Sequence, residues 1–188
     1  VYHGLPEDLF QFRESPGEYL AFLGRISPEK RVDRAIEIAK ELRIPLRIAA
    51  KVDDVDRDYF QDLIEPLLRD PLIDYVGEIG DGEKDAFLGC AIGLLFPIDW
   101  AEPFGLVMIE ALACGTPVVA YRRGSVPEVI EDGRTGFIVE DVASAVAAVR
   151  KLHTLSRRAC REAFESRFTA RRMADDYVGL YHRLAGSR

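Results

Sequence analysis

The chain is short of the features that would mark it for a membrane, a disulfide framework or a nucleic acid. Its 188 residues include only 3 cysteines, Cys90, Cys114 and Cys160. Their odd number and the absence of CxxC or Cys/His spacing exclude a disulfide scaffold and a zinc site, and suit small buried thiols in a reducing cytoplasm. Long apolar runs are missing, since stretches such as residues 91–98 and 106–109 fall well short of the roughly 18 residues a membrane-spanning helix needs. Positive charge is in deficit: 25 Lys and Arg face 32 Asp and Glu, a net charge of −7. That is the wrong sign for a nucleic-acid partner. The opening Val1-Tyr2-His3-Gly4-Leu5-Pro6 has neither the basic start nor the apolar core of a secretion signal, and no initiator Met. The chain therefore reads as an excised piece of a longer protein, cytoplasmic, or peripheral to a membrane through a domain that lies outside it.

What is present is an ordinary globular composition, 48% hydrophobic and 30% charged, enough to bury a core in about one domain. Short apolar runs alternate with amphipathic stretches, the pattern of a parallel sheet covered by helices. Strands are expected at 19–23, 46–50, 73–76, 93–96, 117–120 and 136–139, about six, which suits one Rossmann-like, doubly wound α/β sheet with helices on both faces. Val32, Ala35, Ile36, Ala39 and Leu42 recur at helical spacing. Further helices are expected at 57–68, 84–88 and 106–113, followed by helix alone at 142–152, 156–168 and 170–184. In the last of these Met173, Tyr177, Leu180, Tyr181 and Leu184 form a stripe whose default destination is the core. No repeat, low-complexity tract or long linker interrupts the chain.

In open parallel sheets ligands bind beyond the carboxyl ends of the strands, which draws attention to two loops. The first reads Gly24-Arg25-Ile26-Ser27-Pro28-Glu29-Lys30. Two cations beside a Gly that allows close backbone approach can clamp a diphosphate, although taken alone the pair also fits two solvated surface cations. The second reads Pro97-Ile98-Asp99-Trp100-Ala101-Glu102-Pro103-Phe104-Gly105 and runs into a helix. The free N–H groups of that helix start favour an anion. Glu110, one turn after Leu106 on the same face, tilts back toward it. Carboxylates such as Glu102 and Glu110 suit the neighbourhood of a phosphate only if they accept from neutral hydroxyls, as those of sugars and ribose.

The run from Glu102 to Glu110 resembles the E-x7-E motif of retaining group 1 glycosyltransferases with the two-domain GT-B fold. The resemblance continues through Ala111-Leu112-Ala113-Cys114-Gly115-Thr116-Pro117, Gly124-Ser125-Val126-Pro127-Glu128 and Gly133-Arg134-Thr135-Gly136-Phe137. It covers essentially the whole chain. It implies one nucleotide-sugar-binding domain over residues 1–188. Residues 1–18 would be the crossing from a missing N-terminal Rossmann-like domain that binds the acceptor, and the helix at 170–184 would return toward it. Arg25 and Lys30, beside Gly24, would neutralise the diphosphate leaving group in place of a metal, so neither metal nor other cofactor is expected. Glu110 would accept from the ribose. Glu102, the candidate catalytic residue, would accept from the donor sugar beside the backbone of Phe104, Gly105 and Leu106. Ile79 would hold the base through its backbone and Lys84 would reach the nucleotide.

Two departures stand out. Arg31 occupies a position that is often Gly in the family, and the stretch 49–54 lacks glycines often found there. Asp53, Asp54 and Asp56 lack EF-hand spacing and read as a solvated turn. Gly77, Gly80 and Gly82 are spaced GxxGxG, against a dinucleotide oxidoreductase; no GxxxxGK[ST] loop occurs, and Ser125 lacks a hydrolase elbow. None of His3, His153 and His182 is an obvious general base. The reading of another class is a non-catalytic nucleotide or nucleotide-sugar binding module of the same fold, with a nucleotide-sugar epimerase or a phosphorylase as a lesser option.

Overall fold

A computed structural model describes residues 1–186. The strands are β1 Tyr19–Arg25, β2 Leu46–Lys51, β3 Ile73–Gly77, β4 Ala91–Phe96, β5 Val118–Tyr121 and β6 Gly136–Val139. All pair in parallel, in the order β3-β2-β1-β4-β5-β6. The order reverses between β1 and β4, the point at which a doubly wound sheet opens a crevice beyond its strand ends. The fold is thus the Rossmann-like α/β sheet that the alternation implies.

The helices are α1 Val32–Leu42, α2 Arg57–Tyr59, α3 Asp81–Gly89, α4 Leu106–Cys114, α5 Val126–Val129, α6 Val142–Val149, α7 Arg157–Arg167 and α8 Ala170–Ala185. Because side chains alternate along a strand, Leu20 and Phe22 face α1 and α6, while Ala21 faces the layer of α3, α4 and α7. Burial on both faces explains why the strands read as nearly continuous apolar runs.

Several boundaries differ from the sequence expectation for identifiable reasons. β1 runs through Gly24 and Arg25, which pair with Ala50 and Lys51, so the first cation sits on a strand end and not in a loop. β5 begins after Pro117, which has no N–H to give to a ladder. The helix expected over 57–68 is broken: α2 passes into a π-helical turn at Phe60–Ile64, where Glu65 N donates to Phe60 O at 2.8 Å. Pro66 cannot extend an α-helical ladder, and a 3-10 turn follows at Leu67–Arg69. The helix expected from residue 84 starts at Asp81, where Gly80 N donates to Glu83 Oε2 at 2.9 Å. The one expected over 142–152 ends at Val149, before a separate turn at Leu152–Thr154.

The C-terminal stripe does not enter the core. No residue of α8 is buried, and Tyr177, Tyr181 and Leu184 are exposed. The start of α8 is anchored beside the N-terminal segment, with Leu5 N donating to Phe168 O at 2.9 Å and Ala170 N to Leu5 O at 2.8 Å. Among the described residues no helix is long and apolar enough to cross a membrane.

Candidate functional site

Two adjoining hollows lie beyond the strand ends at the switch point and share Leu23, Gly24, Arg25, Leu106 and Val107. The smaller, about 230 Å³, brings in Lys30, Phe96, Glu102 and Gly105. The larger, about 520 Å³, brings in Lys51, Ile79, Lys84 and Glu110. Of the residues singled out from sequence only Phe104 lines neither. Its ring packs against His3 at 4.9 Å and Phe168 at 6.1 Å, which leaves its backbone as the part nearest the site.

The arrangement follows from local chain chemistry. Gly105 caps α4 at φ +77, a left-handed conformation in which a Cβ would lie 2.7 Å from Met108 Cε, so only glycine turns the chain here without strain. The turn leaves the N–H groups of Leu106 and Val107, which line both hollows, without an intrahelical acceptor at the strand-end crevice, while Met108 N donates back to Gly105 O at 3.0 Å. Leu106 and Glu110 then lie one turn apart on the face that lines the larger hollow.

Each cation lining the site has a carboxylate partner. Lys30 Nζ donates to Glu102 Oε2, and that pair is largely buried, with side-chain exposures of 16% and 12%. The ammonium lies 5.0 Å from the Trp100 ring centroid and 5.7 Å from that of Phe96. Arg25, about half exposed, reaches Asp53 at 3.2 Å and Glu29 at 3.4 Å. Asp53 also accepts from Lys51 at 2.9 Å; Lys51 first and then Arg25 hold its carboxyl below the usual range. Lys84 bridges Asp81 at 2.9 Å and Glu110 at 3.5 Å. Burial works against the Lys84 charge, but Asp81 and Glu110 outweigh it and the ammonium titrates above its ordinary value.

Glu110 behaves in the opposite sense. Burial pushes its carboxyl above the ordinary range, and Lys84 only partly offsets this. The folded chain therefore retains a proton that the unfolded chain has already released, so this stabilising contribution is complete below the unfolded value and is lost as pH rises through the folded one. Glu110→Gln is expected to gain stability relative to the parent between about pH 4 and about pH 7. Urea denaturation at both pH values checks this, and a difference that is constant or shrinks with pH contradicts it.

Sequence reading missed the parts that hold the loop. Trp100 Nε1 donates to Glu102 Oε2 at 3.1 Å, a role whose one visible signal was the chain's single Trp two residues from the acid. Behind the loop, Ser125 N donates to Glu102 O at 2.9 Å and Ser125 Oγ to Phe104 O at 2.8 Å. Gly124, at φ +52, approaches so closely that a Cβ would lie 2.3 Å from Glu102 O. The Gly124-Ser125 pair stood in the quoted motif but carried no assigned function. Arg31 adopts φ +53, which gives a physical reason for the family's frequent Gly there: the position is left-handed.

A cation pair and two carboxylates thus gather around a helix start at the switch point of a Rossmann-like sheet. Over residues 7–167 the chain matches the family described as glycosyl transferases group 1, and it belongs to that family. It is 33% identical over 199 residues to the D-inositol 3-phosphate glycosyltransferase of Nocardia farcinica, covering 93% of this chain and 43% of that protein. Its fold is similar to that of AviGT4, a glycosyltransferase involved in avilamycin A biosynthesis, with a TM-score of 0.83 at 23% identity over 98% of this chain and 58% of that one. It is also similar to Alr3699/HepE of Anabaena in complex with UDP and glucose, with a TM-score of 0.80 at 17% identity over 96% and 55%. The chain spans about half the length of the relatives it matches.

Proposed function

We propose that this chain is the donor-binding half of a retaining glycosyltransferase that moves a sugar from a nucleoside-diphosphate sugar to an acceptor without a metal ion. The observation that carries the reading is the convergence of Arg25, Lys30, Glu102 and Glu110 on the start of α4 at the switch point. The larger hollow suits a nucleoside, with Ile79 beside the base and Glu110 accepting from ribose hydroxyls. The smaller suits the diphosphate and sugar, with Arg25 and Lys30 on the leaving group, the helix start opposite, and Glu102 accepting from sugar hydroxyls. Family membership and a fold neighbour that holds UDP and glucose support this. An acceptor domain preceding residue 1 completes the cleft in this reading, so the chain by itself transfers no sugar.

The carboxylates divide the donor between them. Glu110→Ala is expected to weaken UDP and UDP-glucose alike, by roughly 5- to 10-fold for a lost hydrogen-bond acceptor. Glu102→Ala is expected to leave UDP within about twofold and to weaken UDP-glucose alone by a similar factor. Calorimetry of both variants with both ligands separates them, and equal losses at both positions would overturn the division. If nucleotides and nucleotide sugars bind indistinguishably in all variants, a non-catalytic nucleotide-binding module is the better description.

A further inference from the structure

Across the loop that carries Lys30 lies another hollow, of about 730 Å³, which the donor site does not use. Lys30 lines the donor crevice, while its neighbour Arg31 lines this one. Residues 28–31 therefore form a partition. Glu29 is its seam: its carbonyl accepts from Asp99 N at 2.8 Å, and its carboxylate faces Arg25 at 3.4 Å.

Three independent features make this more than a dip in the surface. Arg31 stands in the left-handed region at φ +53, where a side chain with a Cβ is uncommon and often marks a functional constraint. Its guanidinium is fixed by Asp33 at 2.7 Å and Asp99 at 3.2 Å. The Tyr59 hydroxyl is buried facing the Asp33 carboxylate, with no partner at full hydrogen-bond geometry among the described residues. Burial first, then the charge of Asp33, push that phenol up to about 12, so it remains a proton donor at neutral pH. The wall is the π-helical turn Phe60–Ile64, a geometry enriched at functional sites, and it presents Leu63, 59% exposed, beside Leu67.

The lining selects a ligand class. Asp33 and Asp99 already answer Arg31 and Arg34, so neither an anion nor a cation meets unopposed charge, and no group of His, Cys, Asp and Glu among the described residues is arranged to hold a metal. What remains is a set of carboxylate lone pairs, guanidinium N–H groups and one phenol beside Asp33, together with the aliphatic carbon of Leu63 and Leu67. A neutral sugar ring satisfies both: its hydroxyls donate to the carboxylates and accept from Arg31 and Tyr59, and its C–H face lies on Leu63 and Leu67.

We propose that this hollow is a subsite for a non-reacting sugar ring of an extended acceptor, the reacting hydroxyl lying on the donor side of the partition. The proposal rests on the donor reading above, and its test distinguishes the two. The 188-residue chain is titrated with maltotriose, cellotriose and α-1,6-mannotriose, with and without saturating UDP, and followed by residue-resolved NMR. At least one trisaccharide is expected to give saturable shifts at Arg31, Asp33, Tyr59 and Leu63 below about 50 mM, unchanged by UDP. Tyr59→Phe and Asp33→Asn should each weaken that sugar about fivefold or more while leaving UDP affinity intact. Shifts confined to the donor crevice, no saturable shift with any of the three sugars, or full affinity in both variants would overturn the subsite. Loss of UDP binding with sugar binding retained would instead overturn the donor reading.

Discussion

Arg157→Met is expected to destabilise the chain by about 3 kcal/mol, the largest loss of stability anticipated for a single side chain outside the apolar core. Arg157 is 8% exposed, and among the described residues its guanidinium pairs with no carboxylate. It donates instead to Arg13 O at 2.7 Å, Ala91 O at 2.9 Å, and Gly89 O and Thr116 Oγ1 at 2.8 Å each. Burial lowers its pKa, but an arginine so far above neutral stays charged. Four hydrogen bonds to a cation outweigh its desolvation only while all are made. Methionine fills much of the volume and strands those acceptors away from water, at a cost of about 1–3 kcal/mol for each one that cannot rehydrate. Arg157→Lys keeps the charge but cannot span the same acceptors, so an intermediate loss is expected. These contacts gather the starts of β4 and β5 and the end of α3, at the opposite end of the sheet from the crevice at the strand ends. Folded Arg157→Lys should therefore bind UDP as the parent does. Urea denaturation reads the stability, and a loss below about 1 kcal/mol for Arg157→Met would mean that the acceptors find other donors.

That arginine also marks where sequence reading stops. Helical and strand periodicities are local, so the six strands, the α1 face and the 102–110 segment were legible from neighbouring residues, whereas the order of the strands in the sheet was not. The partners of Arg157 lie 41 to 144 residues away, and nothing in the local pattern of α7 names them. Gly124 and Ser125 are similar: the close approach of Gly124 to Glu102 and the bonds of Ser125 to Glu102 and Phe104 appear only once β4 and β5 are adjacent. Pro66 was visible, yet periodicity alone did not show that the helix before it would widen into a π-turn. The stripe on α8 states that an apolar face exists, but spacing does not say what covers it. The left-handed φ of Arg31 was hidden because the side chain there gives no sign of it, whereas a glycine would have.

Removal of the two basic side chains is expected to have the largest effect on ligand binding. UDP should bind the parent chain equally well with EDTA present if, as proposed, Arg25 and Lys30 supply the charge that a metal would otherwise provide. Arg25→Ala is expected to cost about 1.5–3 kcal/mol of UDP binding, roughly 10- to 150-fold. The present partners of Arg25 do not hold it back: its contacts with Asp53 at 3.2 Å and Glu29 at 3.4 Å are long and half exposed, the kind of pair worth little in water. Lys30 differs. Its largely buried pair with Glu102 means that Lys30→Ala removes a phosphate contact and leaves a carboxylate uncompensated beside the incoming anion. The loss should therefore exceed that of Arg25→Ala, and Glu102→Gln in the Lys30→Ala background should recover part of it, because the repulsive charge is gone while the shape remains. Calorimetry of UDP with the single and double variants in EDTA measures each step. Binding that requires Mg²⁺ would overturn the metal-free clamp, and a double variant no better than Lys30→Ala would show that Glu102 does not oppose the diphosphate.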